Sequence, residues 1–214
     1  YTYGINPQSN FLIKNIKQNI KFTEFDLDIE IPNRKKFLLK TIRIPLLGIH
    51  NVRNSVAAIA VALTVGISQV DIKKGLLNFK GVQRRFNKIF SFNGIDFYDD
   101  YAHHPTEIKV VLEGVNKVYK DFTKVCIFQP HRISRLKDLR REFSFAFLES
   151  DVVILCPIYT AGEKLKLGFN YLNFAKEIIK NSKVKLFLVK DDIQLAKFLK
   201  KNMYGNKIVI GMGA

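Results

Sequence analysis

Residues 99–108 read Asp-Asp-Tyr-Ala-His-His-Pro-Thr-Glu-Ile, and this one stretch holds two of the four histidines in the chain. The other two fall in comparable company. His131 lies in Gln-Pro-His-Arg-Ile-Ser-Arg at 129–135, and His50 in Gly-Ile-His-Asn-Val-Arg-Asn at 48–54. Imidazole is the side chain that changes charge near neutral pH, so its confinement to three polar clusters points to ligand binding or proton transfer. Arginine follows the same distribution: of nine in the chain, Arg84, Arg85, Arg132 and Arg135 sit in or beside these motifs. Guanidinium groups present forked donors that match a carboxylate or phosphate. A helix beginning near residue 131 would place His131 and Arg135 on one face and add its own N–H groups to an anion site. Asn51 and Asn54 are one helical turn apart, so their amides can face a common polar ligand. Zinc is disfavoured, because adjacent histidines project in different directions and no third ligand follows at helical spacing.

These groups must be held by regular elements. Residues 21–31 and 37–44 alternate apolar and polar side chains and read as a strand pair joined by a charged turn at 32–36. Residues 51–66 and 68–81 read as helices, the second with Ser68 as N-cap and Asp71 at its third position. Asn93-Gly94 between alternating runs predicts a tight hairpin, since both residues tolerate positive φ. Beyond it, short apolar strands at 124–129, 151–156, 184–189 and 207–212 alternate with helices at 105–119, 134–148, 170–181 and 191–202. That alternation predicts an α/β fold whose parallel sheet is covered on both faces. Pro105 suits the first turn of its helix, with His104 near the N-cap and Glu107 adding favourable charge. Ligands of such a sheet bind beyond the carboxyl ends of its strands, where the histidine motifs fall.

Composition narrows the function. Hydrophobic residues make up 47 %, enough for a packed core. The longest apolar run, 56–67, is shorter than the roughly 20 residues a membrane-spanning helix needs, so no membrane insertion is expected. Two cysteines, Cys126 and Cys156, make neither a disulfide framework nor a zinc set and read as buried strand residues of a reducing compartment. The formal charge is +16, from 35 Lys and Arg against 19 Asp and Glu. The lysines are scattered among Asn and Ile with no nucleic-acid-binding signature, so the charge is read as surface charge and no nucleic-acid partner is expected. The first residue is Tyr rather than Met, and the final Ile-Val-Ile-Gly-Met-Gly-Ala stops directly after a strand. The sequence reads as clipped at both ends.

Gly-Ile-His-Asn-Val-Arg-Asn-Ser-Val-Ala-Ala, Gly-Val-Gln-Arg-Arg-Phe, Asp-Asp-Tyr-Ala-His-His-Pro-Thr-Glu-Ile, Phe-Gln-Pro-His-Arg-Ile-Ser-Arg and Tyr-Thr-Ala-Gly-Glu-Lys occur in the order and approximate spacing of the Mur ligases. The chain resembles that family over nearly its whole length. The His-His-Pro-Thr-Glu-Ile and Gln-Pro-His-Arg runs are the specific part; the asparagine and Arg-Arg-Phe motifs are shared more widely. The resemblance implies a Rossmann-like, mostly parallel C-terminal domain at 82–214. It is preceded at 1–81 by the strand-and-helix tail of a central ATP-binding domain. No Gly-Lys-Ser/Thr phosphate loop is present, which places that element upstream.

The resemblance also implies an activity: ATP-dependent joining of L-alanine to UDP-N-acetylmuramate through an acyl phosphate, in the bacterial cytoplasm. ATP and Mg2+ are the implied cofactors, with the metal ligands mainly upstream and none assigned here. By similarity, Asn51 and Asn54 hold the adenine, Arg85 reaches the nucleotide and Asp100 holds the ribose. Tyr101, His104, His131, Arg132 and Arg135 form the alanine pocket, with His104 and His131 as the proton-handling pair. Ile133 stands where the family often has an aromatic, which bears on packing beside that pocket. A sister ligase that attaches a recycled peptide, and a non-catalytic nucleotide- or amino-acid-binding module, are the alternatives.

Overall fold

The computed structural model describes residues 1–32, 36–163 and 169–213. Most of the turn expected at 32–36, Lys164 of the 159–164 motif, and Ala214 lie outside the described residues. The chain divides into two units, Tyr1–Gly81 and Val82–Ala214.

In the first unit, strands β1 (Tyr3–Gly4), β2 (Phe11–Gln18), β3 (Thr23–Ile29) and β4 (Phe37–Ile44) lie side by side in sequence order. The β1–β2 pair is parallel and the others antiparallel. β3 alternates cleanly, burying Phe25, Leu27 and Ile29 against solvent-side Glu24, Asp26 and Asp28. β2 loses its alternation after Ile13, where Asn15 takes a left-handed φ of 53° and the pairing shifts register. That bulge is why its sequence does not stand out as a strand. Helices α1 (Ile49–Thr64) and α2 (Gln69–Leu77) complete the core through Val52, Val56, Ile59 and Ile72. Ser68 caps α2 as expected, accepting from the Asp71 N–H at 3.1 Å. α1 begins two residues earlier than expected. Its N-cap is Gly48 at φ 90°, and a Cβ there would lie 2.5 Å from the His50 ring.

The second unit holds β5 (Asn87–Phe92), β6 (Ile95–Asp100), α3 (Pro105–Val118) and β7 (Thr123–Gln129). Next come α4 (Ile133–Asp138), α5 (Arg140–Phe145), β8 (Val152–Leu155) and α6 (Tyr171–Ser182), then β9 (Lys185–Leu188), α7 (Asp192–Asn202) and β10 (Lys207–Gly213). The strand order is β5-β6-β10-β7-β8-β9. β5 runs antiparallel to β6 through the expected hairpin, with Asn93 and Gly94 both at positive φ. Every other pairing is parallel. β10 is buried along most of its length, so it takes the centre, while the exposed β5 and β9 form the edges.

One face of this sheet carries an aromatic cluster. Phe128 meets Phe143 and Phe147 at ring distances of 5.8 and 5.3 Å, and Phe143 meets Phe174 of α6. The other face packs Leu195, Phe198 and Leu199 of α7 against Phe97, Val125, Ile154 and Val209. Cys126 and Cys156 are both buried free thiols. The expected single helix at 134–148 is two short ones, broken at Leu139 (φ −111°, ψ 27°). No helix among the described residues is long and apolar enough to cross a membrane.

Because β6, β10, β7 and β8 are parallel, their carboxyl ends share one edge. The ends of β10 and β7 approach closely: a Cβ on Gly213, at φ 148°, would lie 2.8 Å from the Gln129 carbonyl oxygen. Segments 101–104, 130–132 and 156–163 leave from this edge.

Candidate functional site

At that edge a line of side chains runs across the strand ends. Arg84 starts it, with φ 58° and its backbone carbonyl accepting from the Tyr101 N–H at 2.7 Å. Its guanidinium donates to Asp99 at 3.2 Å and to the Gly213 carbonyl at 2.8 Å, and its Cζ lies 4.7 Å from the centre of the Tyr101 ring. Tyr101 meets His103 edge-on at 4.8 Å. The His103 ring stands 6.0 Å from that of His131, and His131 stacks on Tyr159 at 5.3 Å and 20°.

The proton positions follow from the partners. Nδ1 of His103 lies 2.8 Å from the Tyr101 carbonyl oxygen, which can only accept. Nδ1 therefore carries the hydrogen, and in the neutral ring Nε2 is the acceptor. Glu107, 3.8 Å from the same Nδ1, accepts from the backbone N–H groups of His103 and His104 at 3.0 and 3.1 Å. Burial works against its ionisation, but those two donors and the charges of His103 and Arg85 hold its carboxyl below the ordinary value. His131 is held below the usual imidazole value, by burial first and then by Arg135, His103 and Arg132. Its neutral form dominates at neutral pH. Two buried polar atoms here have no hydrogen-bond partner among the described residues, His131 Nδ1 and Arg135 Nη1. A buried unpaired donor is costly, and a ligand carboxylate beside Arg135 would satisfy it.

The structure sorts the residues expected from sequence. Tyr101 and His131 fall on the line just described, and Arg132 and Arg135 are close enough to His131 to act on its charge. His131 and Arg135 do not share a helical face, however, because α4 starts only at Ile133. Arg132 is its N-cap at φ 70°, an unusual conformation for a side chain with a Cβ. The helix N-terminus is not an open anion site either. α4 has six residues, and Glu163 already accepts from the Ser134 N–H at 3.0 Å and hydroxyl at 2.6 Å.

His104 caps α3, as its place before Pro105 predicts, and its ring is not the one on the line of the pocket. Proline at the first position of α3 makes residue 104 the N-cap, and the His104 Nδ1 accepts from the Thr106 N–H at 3.3 Å. It is the His103 ring that faces His131. Pro105 in the first turn with His104 at the cap, as read from the sequence, is what separates the two histidines.

Asp100 is also turned inward. It is 3 % exposed, and its two oxygens accept from the backbone N–H groups of Phe86 and Ala102 at 2.9 and 2.8 Å. Burial raises its carboxyl above the ordinary value, against the pull of those donors and of Arg85. It therefore braces the exposed Arg85 segment, where Arg85 N–H donates to Asn87 at 2.8 Å. Asp100→Asn is expected to lose about 1–3 kcal/mol of stability at neutral pH, because an amide NH2 would face one of the two backbone donors. Thermal unfolding checks this; an unchanged or higher midpoint would mean that the burial of the charge outweighs its hydrogen bonds. The pH dependence has a definite sign. The fold binds this proton more tightly than the unfolded chain does. Its contribution is therefore greatest in acid, and declines as pH rises from about 3.9 to the raised value.

In the first unit, Asn51 and Asn54 lie in the opening turns of α1. Asn51 Nδ2 donates to the Leu47 carbonyl at 2.8 Å, and Asn54 is exposed. Sequence reasoning gave no role to Tyr159 or Glu163, and placed Arg84 only among the guanidinium groups beside the motifs. Tyr159 and Glu163 belong to a quoted motif, but only the approach of β7 and β8 brings them to His131. Among the described residues, no three His, Cys, Asp or Glu side chains group as a metal site.

The chain is 65 % identical, over all 214 residues, to the UDP-N-acetylmuramate–L-alanine ligase of Pelagibacter ubique, of which it covers 46 %. It is 38 % identical to that of Bartonella tribocorum, covering 100 % of this chain and 45 % of that one. The chain thus spans about half the length of the curated relatives it matches. The crystal structure of the UDP-N-acetylmuramate-alanine ligase of Thermotoga maritima shares the fold, with a TM-score of 0.75 at 24 % identity over 97 % of this chain and 43 % of that one. Residues 84–214, more than half of the chain, match the profile of the Mur ligase glutamate ligase domain, and the chain belongs to the Mur ligase family.

Proposed function

We propose that the protein carrying this chain is an ATP-dependent ligase that joins L-alanine to UDP-N-acetylmuramate, an early step in making peptidoglycan precursors in the bacterial cytoplasm. Unit Val82–Ala214 is its amino-acid-binding C-terminal domain, and Tyr1–Gly81 is the C-terminal part of its ATP-binding domain. The observation that carries this reading is the pair of buried atoms, His131 Nδ1 and Arg135 Nη1, that have no partner among the described residues and lie beside a second imidazole. A zwitterionic amino acid has the complementary groups. Its carboxylate meets Arg135 and Arg132. Its ammonium meets a neutral imidazole, which accepts the proton that must leave before nitrogen can attack.

ATP, with Mg2+, supplies the phosphoryl group that activates the muramic acid carboxylate. This chain's residues act on the other partner. The amine nitrogen bonds to the activated carbonyl carbon, the bond from that carbon to the phosphate oxygen breaks, and phosphate leaves. His131, neutral at the working pH, takes the amine proton, and His103, with its Nδ1–H fixed on the Tyr101 carbonyl, presents Nε2 as a second acceptor. Tyr101 and Tyr159 wall the two imidazoles and narrow the approach of water, which would hydrolyse an acyl phosphate. On the nucleotide side, Asn51 and Asn54 are the adenine-binding pair. Arg85 contacts the nucleotide, with Asp100 fixing the backbone around it.

The test is phosphate release by the full-length protein. Release is expected only when ATP, UDP-N-acetylmuramate and L-alanine are all present, with glycine and L-serine poorer. Preference for a preformed peptide over L-alanine would move the protein to the recycling class of ligase. Binding without any turnover would make it a binding module.

A further inference from the structure

Only Tyr159 of the 159–163 turn has a task in the reaction above, yet four hydrogen bonds join the turn to the segment around His131. Tyr159 N–H donates to the Pro130 carbonyl at 2.8 Å, and Arg132 N–H to the Tyr159 carbonyl at 2.9 Å. The Ser134 amide and hydroxyl then each donate to a different oxygen of Glu163, at 3.0 and 2.6 Å. The turn closes on itself through Glu163 N–H to the Thr160 carbonyl at 3.1 Å, with Ala161 and Gly162 both left-handed at φ 51° and 83°. Ala161 is thus strained on one side of the joint and Arg132, at φ 70°, on the other. Strained backbone persists only where surrounding bonds hold it, and here the Glu163 carboxylate supplies two of them.

We propose that Glu163 is a positioning residue for the amino-acid pocket: it latches the 159–163 turn to Ser134, keeping Tyr159 on the face of His131 and Arg132 in its left-handed conformation. This rests on the reading of the pocket as the alanine site. Glu163 acts through charge as well as through bonds. The groups facing His131 are His103 from the segment before α3, Arg132 and Arg135 at α4, and Tyr159 and Glu163 from the turn. Burial and the cations hold His131 low, and Glu163 is the acid that opposes them. Glutamine at 163 keeps an acceptor for the Ser134 N–H and lets the serine hydroxyl turn round to accept, but removes the charge.

The experiment uses the full-length protein and the variants Glu163→Gln, Glu163→Ala and Ser134→Ala. Three quantities are read: KM and kcat for L-alanine, hydrogen exchange of the Arg132 and Ser134 amides, and the NMR titration of His131. Glu163→Ala is expected to raise KM about tenfold to a hundredfold, the scale of lost hydrogen bonds to a charged group, with a smaller change in kcat. Its Arg132 and Ser134 amides should exchange faster. Glu163→Gln should recover most of the KM and the amide protection, yet titrate His131 at lower pH than the wild type. Ser134→Ala should fall between them in KM while leaving the His131 midpoint closest to wild type. Unchanged KM, protected amides and an unmoved His131 midpoint in these variants would overturn the latch. If Glu163→Ala fails to fold, Ser134→Ala and Glu163→Gln decide. If the wild type does not use L-alanine at all, the proposed function fails, while exchange and titration still judge the latch.

Discussion

Arg135→Ala in the full-length protein is expected to lower kcat/KM for L-alanine by about two to three orders of magnitude, the scale for truncating one partner of a desolvated charge pair. The Arg135 Nη1 is already buried and has no hydrogen-bond partner among the described residues. A substrate carboxylate that satisfies it replaces no existing bond and meets little water, so the contact is strong. Lysine at 135 restores the charge but not the planar fork and should recover only part of the loss. The same substitution has a second consequence. Arg135 is the foremost of the cations that hold His131 below the ordinary imidazole value. Without it, His131 should titrate at higher pH, and the acid limb of the pH–rate profile should move upward with it. Loss of rate with no movement of that limb would separate carboxylate binding from proton transfer. An unchanged kcat/KM would place the substrate carboxylate elsewhere.

Phe128→Ala is expected to cost about 3–5 kcal/mol, the usual range for emptying a fully buried aromatic site. Phe128 is 0 % exposed, and its ring contacts Phe143 and Phe147, which carry α5 and the segment after it. It sits on β7 one residue before Gln129, so the same packing sets the height of the Pro130–Arg132 segment that bears His131. Hydrogen exchange of β7 and β10 amides should report the loss as about two to three orders of magnitude less protection. Alanine kcat/KM should fall as well, through displacement of His131 rather than through any contact with substrate. Unchanged amide protection would mean that the aromatic cluster is dispensable to the sheet.

Much of this arrangement was legible in the sequence, and the legible parts share a property. The hairpin at Asn93-Gly94, the Ser68 cap of α2, the start of α3 at Pro105 and the alternation along β3 each depend on residues within a few positions of one another. So does the membership of the polar clusters, because a chain that confines all four of its histidines to three short motifs marks them without reference to the fold. The misses share the opposite property. β2 carries a bulge that destroys its period, and the break at Leu139 falls in a run with no glycine or proline to announce it. The roles of His103 and His104 turn on which residue caps α3. Asp100 reads by resemblance as a ribose ligand, and only the return of the 84–86 segment over β6 turns it inward.

The sequence by itself determined the kinds of elements, their order, the family resemblance and the residues that gather at the strand ends. Only the tertiary structure decided that β10 lies between β6 and β7, so that Gly213 meets both Arg84 and Gln129. It also decided that Glu163 closes on Ser134, and that His131 Nδ1 and Arg135 Nη1 are buried with no partner among the described residues. The physical reason is range. Turn geometry, capping and periodicity are set by neighbours along the chain. Strand order, burial and electrostatic surroundings are set by which distant surfaces exclude water together, and no short stretch of sequence contains that information.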